Sequence, residues 1–216
     1  MELTLLGTGC PSVDYKRFGS ANLVTTKNTK ILVDCGSGVT QRLNQAKISL
    51  ANIDALFLTH LHSDHVVDLY QLIISSWHSY RIKPWRIYGP KGTKKFVKKI
   101  MTAWADERKQ RISYEARSST KAFNIKVTEF GSIGNYSFKD LKIKYFEVDH
   151  KPVKYAYGFS FFNNTKKLTI SGDTRPCQNL MKFAHKSDVL LHEVFIEGEI
   201  KETNKMRTKK TLHNVQ

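Results

Sequence analysis

Thr59-His60-Leu61-His62-Ser63-Asp64-His65 directly follows the apolar run Ala55-Leu56-Phe57-Leu58. The first stretch brings three imidazoles and a carboxylate close together, and the apolar run is typical of a buried strand. Imidazole and carboxylate are ligands for zinc and similar ions, and a carboxylate can also take up a proton. A strand that ends in such a loop places these side chains at the rim of a sheet. The stretch therefore predicts a metal site, rather than a polar loop whose histidines only cap the next helix.

The length and composition predict a folded protein in a reducing compartment. The chain has 216 residues, 40% of them hydrophobic, which favours a single domain over residues 1–216 or two closely packed halves. No apolar run approaches the ~18 residues of a membrane span, and the first residues lack the basic flank of a signal peptide. Cys10, Cys35 and Cys177 are an odd number at unrelated spacings, which favours reduced thiols. We therefore expect a cytoplasmic protein without a membrane partner.

The charge balance is strongly basic. The formal net charge is +16, and such a surplus favours polyanions because basic side chains contact phosphates and release counterions. A general preference for lysine in the source genome would give the same composition. Lysines crowd one predicted helix, and the candidates for substrate contacts are Lys94, Lys95, Lys98 and Lys99. A solvated helix face is the more ordinary explanation of that run alone, so the charge favours a nucleic-acid substrate without establishing one.

Hydrophobic periodicity predicts strands and helices in alternation. Strands are expected where β-branched and apolar residues run together, and helices where apolar residues recur at three- and four-residue spacing. From about residue 123 the period changes to two, which is typical of half-exposed strands. The predicted strands are residues 2–6, 21–25, 30–35, 54–59, 85–88, 141–148, 155–162, 167–171 and 189–191, and the predicted helices are 39–47, 65–78, 93–108 and 176–185. This order predicts an α/β fold, or two sheets with helices outside.

Three further polar residues stand at predicted strand ends. His150 comes just after the strand that ends at residue 148, Asp173 follows Ser171-Gly172, and His192 follows the last strand. The glycine before Asp173 lets the backbone approach a site closely. Each residue alone has an ordinary explanation, as a surface histidine, a turn aspartate or a helix-start histidine. Ligands for a shared metal centre would stand in the same places.

Together these segments form a pattern that resembles the metallo-β-lactamase superfamily, and within it the ribonuclease Z and arylsulfatase-like branch. The resemblance covers essentially the whole chain, and the histidine motif is its most specific part. The matching segments are Leu6-Gly7-Thr8-Gly9-Cys10-Pro11, Asp34-Cys35-Gly36-Ser37-Gly38, Thr59-His60-Leu61-His62-Ser63-Asp64-His65, Ser171-Gly172-Asp173-Thr174 and His192-Glu193. The resemblance implies an αββα sandwich of two similar halves, with the metal site at one sheet edge. It says less about the substrate, because this fold hosts many hydrolyses.

The resemblance also implies a centre of two divalent metal ions and the residues that hold it. Zinc is the first choice, with manganese and iron left open by the ligand type. The implied ligands are His60, His62 and His150 for the first metal and Asp64 and His65 for the second, with Asp173 bridging the two. Asp64 would also orient or deprotonate the attacking water, and His192 would donate a proton or stabilise charge on the phosphate. Two neighbouring ions can lower the pKa of water toward ~7 and stabilise the leaving oxygen.

The sequence departs from the ribonuclease Z pattern in two places. Ribonuclease Z has a long basic arm between the positions that match His150 and Asp173, whereas here the predicted hairpin nearly fills residues 151–172. The family also supplies a seventh ligand, a histidine followed by serine or threonine, after the His-Glu motif. His213 stands near the expected distance, but Asn214 follows it, so a tail histidine is the simpler interpretation. We therefore expect the chain to be a C-terminally truncated fragment.

The whole pattern predicts a metal-dependent hydrolase that acts on a phosphodiester, with RNA as a candidate substrate and a homodimer as a candidate assembly. The alternative enzyme hydrolyses a small ester, either an aryl sulfate or a cyclic nucleotide, and the missing arm favours it. From a different class, the chain would be a nucleic-acid-binding module with a decayed metal centre. The six ligand positions are intact, which argues against decay, and a metal assay separates the two.

Overall fold

The structure is a computed structural model that describes residues 1–164 and 166–194. The chain divides into two compact units, Met1–Phe130 and Gly131–Gln216, and each unit has its own β-sheet. The predicted single domain over residues 1–216 stays a prediction. The candidate ligand His213 lies outside the described residues. Within them, no helix is both long and apolar enough to cross a membrane.

The described residues contain eleven strands and six α-helices, with two short 3₁₀ turns. The strands are β1 Glu2–Gly7, β2 Ala21–Thr25, β3 Lys30–Val33, β4 Ala55–Phe57, β5 Trp85–Gly89, β6 Ile125–Glu129, β7 Ile133–Phe138, β8 Leu141–Glu147, β9 Tyr157–Asn163, β10 Lys166–Ile170 and β11 Val189–Leu191. The helices are α1 Val39–Gln45, α2 Ser63–Val66, α3 Leu69–His78, α4 Thr93–Ala103, α5 Ala105–Tyr114 and α6 Gln178–Ala184.

The first unit contains a six-stranded sheet in the order β1-β2-β3-β4-β5-β6. The neighbours from β3 to β6 are parallel, and the register pairs Ile31 with Ala55 and Val33 with Phe57. Parallel neighbours bring their carboxyl ends to the same edge of a sheet, so the loops after β3 and β4 lie side by side. Buried apolar side chains of these strands pack with those of α1, α3 and α4 in one core.

The second unit contains a five-stranded sheet in the order β11-β10-β9-β8-β7. The neighbours from β7 to β10 are antiparallel, whereas β10 and β11 are parallel. It follows that β8, β10 and β11 end at one edge of this sheet. Helix α6 packs on β8 and β9, where Phe183 stacks on Phe146 with ring centroids 4.7 Å apart and Ser160 donates a 3.0 Å hydrogen bond to the Phe183 carbonyl.

The structure confirms the α/β alternation and corrects two predicted helices. The segment 65–78 is not one helix, because α2 ends at Val66 and α3 begins after Asp68. The segment 93–108 is likewise divided at Trp104, between α4 and α5. Both breaks fall where side chains form hydrogen bonds with backbone groups, which periodicity does not record.

The structure also shortens two strands that lead to the predicted site. The segments predicted over 30–35 and 54–59 are strands only as far as Val33 and Phe57. The polar residues that follow them therefore belong to loops at the sheet edge. The period-two region from residue 123 contains β6 and β7 as two separate strands, one in each sheet.

Candidate metal centre

The loop after β4 and the short helix α2 that follows it contain four of the predicted ligands. His60 is fully buried and His65 nearly so, whereas His62 is exposed. The His60 ring centroid lies 4.6 Å from that of His62 and 4.1 Å from that of His65. His60 Nε2 lies 2.9 Å from His62 Nδ1, and Asp64 Oδ2 lies 3.6 Å from His65 Nε2. Four side chains with metal-binding chemistry therefore lie close together in this loop and in α2.

These histidines do not serve as a helix cap. His62 is the N-cap residue of α2, yet its side chain forms no capping hydrogen bond with the helix. Its Nδ1 atom is directed toward the His60 ring instead. The capping explanation of the motif is therefore wrong for this loop.

Asp34 and Thr59 hold two of the rings in place. The Asp34 side chain is buried, and its Oδ2 atom lies 2.8 Å from His65 Nδ1. The backbone N–H and the hydroxyl of Thr59 both donate to the Asp34 carboxylate, at 2.8 and 2.9 Å. The Thr59 hydroxyl oxygen also lies 3.0 Å from His60 Nδ1 and can accept from that ring. Such contacts set the tautomer of each ring and leave its Nε2 atom for other partners.

The parallel pairing of β3 and β4 explains why these residues meet. Asp34 directly follows β3, takes a left-handed φ of 62°, and donates its N–H to the Phe57 carbonyl at 2.8 Å. Thr59 follows β4 at the same edge of the sheet. Burial raises the pKa of the Asp34 carboxyl, whereas the charge of His65 and hydrogen bonds from His65 and Thr59 act to lower it. The neighbouring donors therefore offset part of the cost of burying a carboxylate.

A glycine-containing turn after β3 supports the histidine loop. The Cys35 N–H donates to the His65 carbonyl at 2.7 Å. At Gly36 an added Cβ would overlap the Asp64 carbonyl oxygen, so only glycine allows this close approach. Backbone contacts thus fix the turn and the histidine loop to each other.

His150 and Asp173 lie near each other at one edge of the second sheet. They follow β8 and β10, and His150 Nε2 is 4.0 Å from Asp173 Oδ2. Gly172, just before Asp173, has a φ of 63°, which glycine adopts without strain. The Asp149 N–H donates to the Thr174 hydroxyl at 3.1 Å and joins the two loops. The second unit therefore presents an imidazole and a carboxylate side by side.

His192 follows β11 at this same edge. Its side chain is exposed, and its Nδ1 atom lies 2.6 Å from the Glu193 carbonyl oxygen. The Glu193 carboxylate accepts a hydrogen bond from the Thr174 N–H, one residue beyond Asp173. The contact with the Glu193 carbonyl therefore involves Nδ1 of His192 and not Nε2.

The four candidate lysines lie on α4 in the first unit. They are Lys94, Lys95, Lys98 and Lys99, and all four are exposed. Thr93 and Val97 form the buried side of the same helix. The lysines thus form a solvated face, which is the ordinary explanation of the run, and their role in substrate binding stays a prediction.

Asp34 and Thr59 have no role predicted from the sequence, although both belong to the matching segments. The available signal was their position, because each is a polar residue shortly after a buried strand. Their contacts, however, depend on β3 being the neighbour of β4, because Asp34 and Thr59 are 25 positions apart in the sequence. The local sequence pattern does not show that β3 and β4 are neighbours.

Comparison with known proteins identifies the family. A family model described as anti-Pycsar protein Apyc1 matches residues 1–207. The chain belongs to that family. The ribonuclease Z of Mycobacterium bovis (strain BCG / Pasteur 1173P2) is 34% identical over 212 residues, which cover 97% of this chain and 75% of that protein.

Solved structures show the same fold. The crystal structure of human tRNase Z, short form, matches with a TM-score of 0.73 at 24% identity, covering 97% of this chain and 83% of that chain. The metallo-β-lactamase fold protein YhfI from Bacillus subtilis matches with a TM-score of 0.68 at 19% identity, covering 87% of this chain and 68% of that chain. The predicted fold class, the αββα sandwich of the metallo-β-lactamase type, is confirmed, and so is the resemblance to ribonuclease Z. The chain is a ribonuclease Z-like hydrolase of that superfamily.

Proposed function

We propose that the chain is a metal-dependent phosphodiesterase whose centre holds two divalent ions, with zinc as the first choice. The observation that carries the proposal is the buried Asp34–Thr59 pair, which orients His65 and His60. Histidines that bind metal are typically oriented by a carboxylate or another acceptor at the second ring nitrogen. A loop without a ligand would not need two rings held in this way.

The donor chemistry fits such a centre. His60, His62 and His150 would hold one ion, Asp64 and His65 would help to hold the other, and Asp173 would be available to both. Imidazole nitrogens and carboxylate oxygens are the donors that zinc takes in hydrolases. Bound metal would supply an activated water and stabilise charge on the leaving oxygen.

Asp64 and His192 are the proposed acid–base residues. Asp64 orients the water and takes up its proton as the water oxygen bonds to phosphorus. The bond between phosphorus and the leaving oxygen breaks, and His192 donates a proton to that oxygen. The contact between His192 Nδ1 and the Glu193 carbonyl leaves Nε2 for this transfer. Such roles are typically worth about 10²–10⁴-fold in rate.

The name of the matched relative supports a phosphodiester, RNA included, as the substrate class, since that relative is a ribonuclease Z. The formal net charge of +16 suits an anionic substrate. The proposal also keeps a cytoplasmic location and allows a homodimer.

A direct test uses bis(4-nitrophenyl) phosphate and the purified chain. We expect hydrolysis that stops after chelation by EDTA and returns on addition of zinc or manganese. His62→Ala should abolish it, whereas His185→Ala, at an exposed histidine after α6, should not. Turnover of 4-nitrophenyl sulfate but of no phosphodiester would move the assignment to the sulfatase alternative. Binding of RNA without any turnover would favour the non-enzyme alternative.

A small phosphodiester, such as a cyclic nucleotide, is a second candidate for the natural substrate. Between His150 and Asp173 the described residues hold little beyond the β9–β10 hairpin, Tyr157–Asn163 and Lys166–Ile170. Ribonuclease Z has its arm for transfer RNA at this position. We therefore expect a small ester to be hydrolysed readily and precursor RNA to be cleaved poorly, with strong salt dependence. Efficient, salt-insensitive removal of a precursor RNA trailer would contradict this reasoning.

A further inference from the structure

One face of the second sheet carries lysines on both sides of an aromatic ring. Alternate residues of a strand point to opposite faces, so Lys142 of β8 points away from its buried neighbours Leu141 and Ile143. The register places Lys142 beside Phe162 of β9, and Phe162 beside Lys167 of β10. A row of lysine, phenylalanine and lysine therefore crosses three strands.

A second ring lies on the same face, where α6 packs. The ammonium groups of Lys144 and Lys182 lie 5.3 and 5.6 Å from the centroid of the Phe183 ring. The ammonium group of Lys167 lies 5.6 Å from the centroid of Phe162. Lysines at these distances are attracted to the faces of the rings. We call this surface the lysine face, and its members are Lys142, Lys144, Lys167, Lys182, Phe162 and Phe183.

The positive charge of the lysine face is not balanced within the part of the chain that the structure describes. None of its four lysines forms an ion pair there, and the nearby Asp188 carboxylate pairs with Lys166 instead, at 3.1 Å. The Lys167 ammonium group donates to the His185 carbonyl at 2.6 Å. Burial, and next the charge of Lys144, lower the pKa of Lys167. Like charges gathered in this way repel each other unless an anion binds between them.

We propose that the lysine face binds single-stranded RNA, with phosphates against the lysines and a base stacked on Phe162. Surfaces that bind single strands without sequence preference combine a basic track with aromatic side chains on which bases stack. Neighbouring strands lie about 4.8 Å apart, which sets a lysine on each side of Phe162. A polyanion without bases would use the lysines alone and gain nothing from the Phe162 ring. The binding is a property of the second unit and holds whether or not the metal centre cleaves the RNA.

The test measures fluorescence anisotropy of a labelled 12-nucleotide oligouridine with the whole chain, in EDTA so that no metal-dependent hydrolysis consumes the probe. The variant combines Lys142→Gln, Lys144→Gln and Lys167→Gln. We expect weaker binding and a salt slope smaller in magnitude by about 2, since each phosphate contact on a single strand contributes roughly 0.7. The matched control removes the same charge from exposed lysines of the first unit, with Lys27→Gln, Lys109→Gln and Lys121→Gln. Equal affinity and slope for the variant and its control would overturn the proposal.

Two further variants separate stacking from charge and guard against misfolding. Phe162→Leu keeps an apolar side chain but removes the ring, and we expect oligouridine to bind about tenfold more weakly. Lys142→Glu changes one exposed position, so it should weaken binding even if the triple variant does not fold. Inorganic polyphosphate and vesicles of anionic lipid are the competing probes. Polyphosphate binding as tight as RNA binding with no effect of Phe162→Leu, or vesicle binding without RNA binding, would overturn the assignment to RNA.

Discussion

At the scale of single residues, the histidine motif depends on partners that need not bind metal themselves. The residue types of the motif indicate metal chemistry directly, because few other roles gather so many imidazoles. The role of Asp34 could not be predicted in the same way, since its effect passes through His65 and Thr59. Its contribution should therefore appear in metal affinity before it appears in turnover.

We expect Asp34→Asn to weaken zinc binding by about 10–100-fold, since the loss of an outer partner of a metal ligand typically costs this much. The amide keeps the size of the side chain but lacks the charge beside His65. Competition with a chromogenic zinc chelator measures the change. Asp188→Asn, at an exposed carboxylate of the second unit, is the matched control and should bind zinc like the wild type. Indistinguishable affinities for Asp34→Asn and Asp188→Asn would remove Asp34 from the site.

The proposed acid–base residues should act on turnover rather than on binding. Asp64→Ala and His192→Ala should each lower kcat by about 10²–10⁴-fold and change KM little. Steady-state kinetics on bis(4-nitrophenyl) phosphate measure both constants, and zinc content is measured in parallel because Asp64 is also a proposed ligand. A rise in KM with kcat intact would assign these residues to substrate binding or to structure instead.

At the scale of elements, periodicity predicted which segments are helical but not where they break. The segment 93–108 breaks at Trp104, where the Arg108 guanidinium donates to the Met101 and Trp104 carbonyls at 2.8 and 3.4 Å. The segment 65–78 breaks at Asp68, whose carboxylate accepts a 2.6 Å hydrogen bond from the Gly38 N–H. Both contacts involve side chains whose partners a periodic pattern does not specify.

Arg81 connects two elements of the first unit. Its side chain is buried, and its guanidinium donates to the Ala51 and Ile53 carbonyls at 3.2 and 2.8 Å and to the Pro84 carbonyl at 3.0 Å. It also lies 4.0 Å from the centroid of the Trp85 ring. Burial lowers the pKa of Arg81 to about 10. The guanidinium therefore satisfies backbone carbonyls that would otherwise be buried without a donor.

Arg81→Met should lower the free energy of unfolding by about 3 kcal/mol, because each buried acceptor left without a donor costs roughly 1–3 kcal/mol. Urea unfolding followed by circular dichroism measures the loss. Arg86→Met, at an exposed arginine five residues later, is the control and should change stability by less than about 0.5 kcal/mol. Equal stability of the two variants would show that these hydrogen bonds are not important for the fold.

The lysines of α4 should contribute to the binding of long substrates such as RNA, and not to the hydrolysis of small esters. Changing Lys94, Lys95, Lys98 and Lys99 to Gln should reduce RNA binding and flatten its salt dependence. Contacts with phosphates contribute both to the affinity and to its dependence on salt. Hydrolysis of the small ester should be unaffected. Anisotropy and a colorimetric assay on the same preparation give the two results. Unchanged RNA binding would leave these lysines as a solvated face.

At the scale of the whole molecule, the candidate site residues could be predicted mainly because they follow the ends of predicted strands. Each of these residues follows an apolar or alternating run, which is a local signal in the sequence. They are His60, His150, Asp173 and His192. The order of strands in the two sheets is not local, and it decides which loops become neighbours. Contacts such as that between the Asp34 carboxylate and His65 could therefore be identified only from the structure.

The central claim, that the histidine motif holds metal, is tested most directly by elemental analysis of the purified and folded chain. We expect zinc or a similar ion at one or more per chain in the wild type, and a sharp fall in His62→Ala and in His150→Ala. His185→Ala, an exposed histidine after α6, should keep the wild-type content. Circular dichroism establishes that each sample is folded. A folded wild-type chain with no metal above background, or equal metal in His62→Ala and His185→Ala, would contradict the claim.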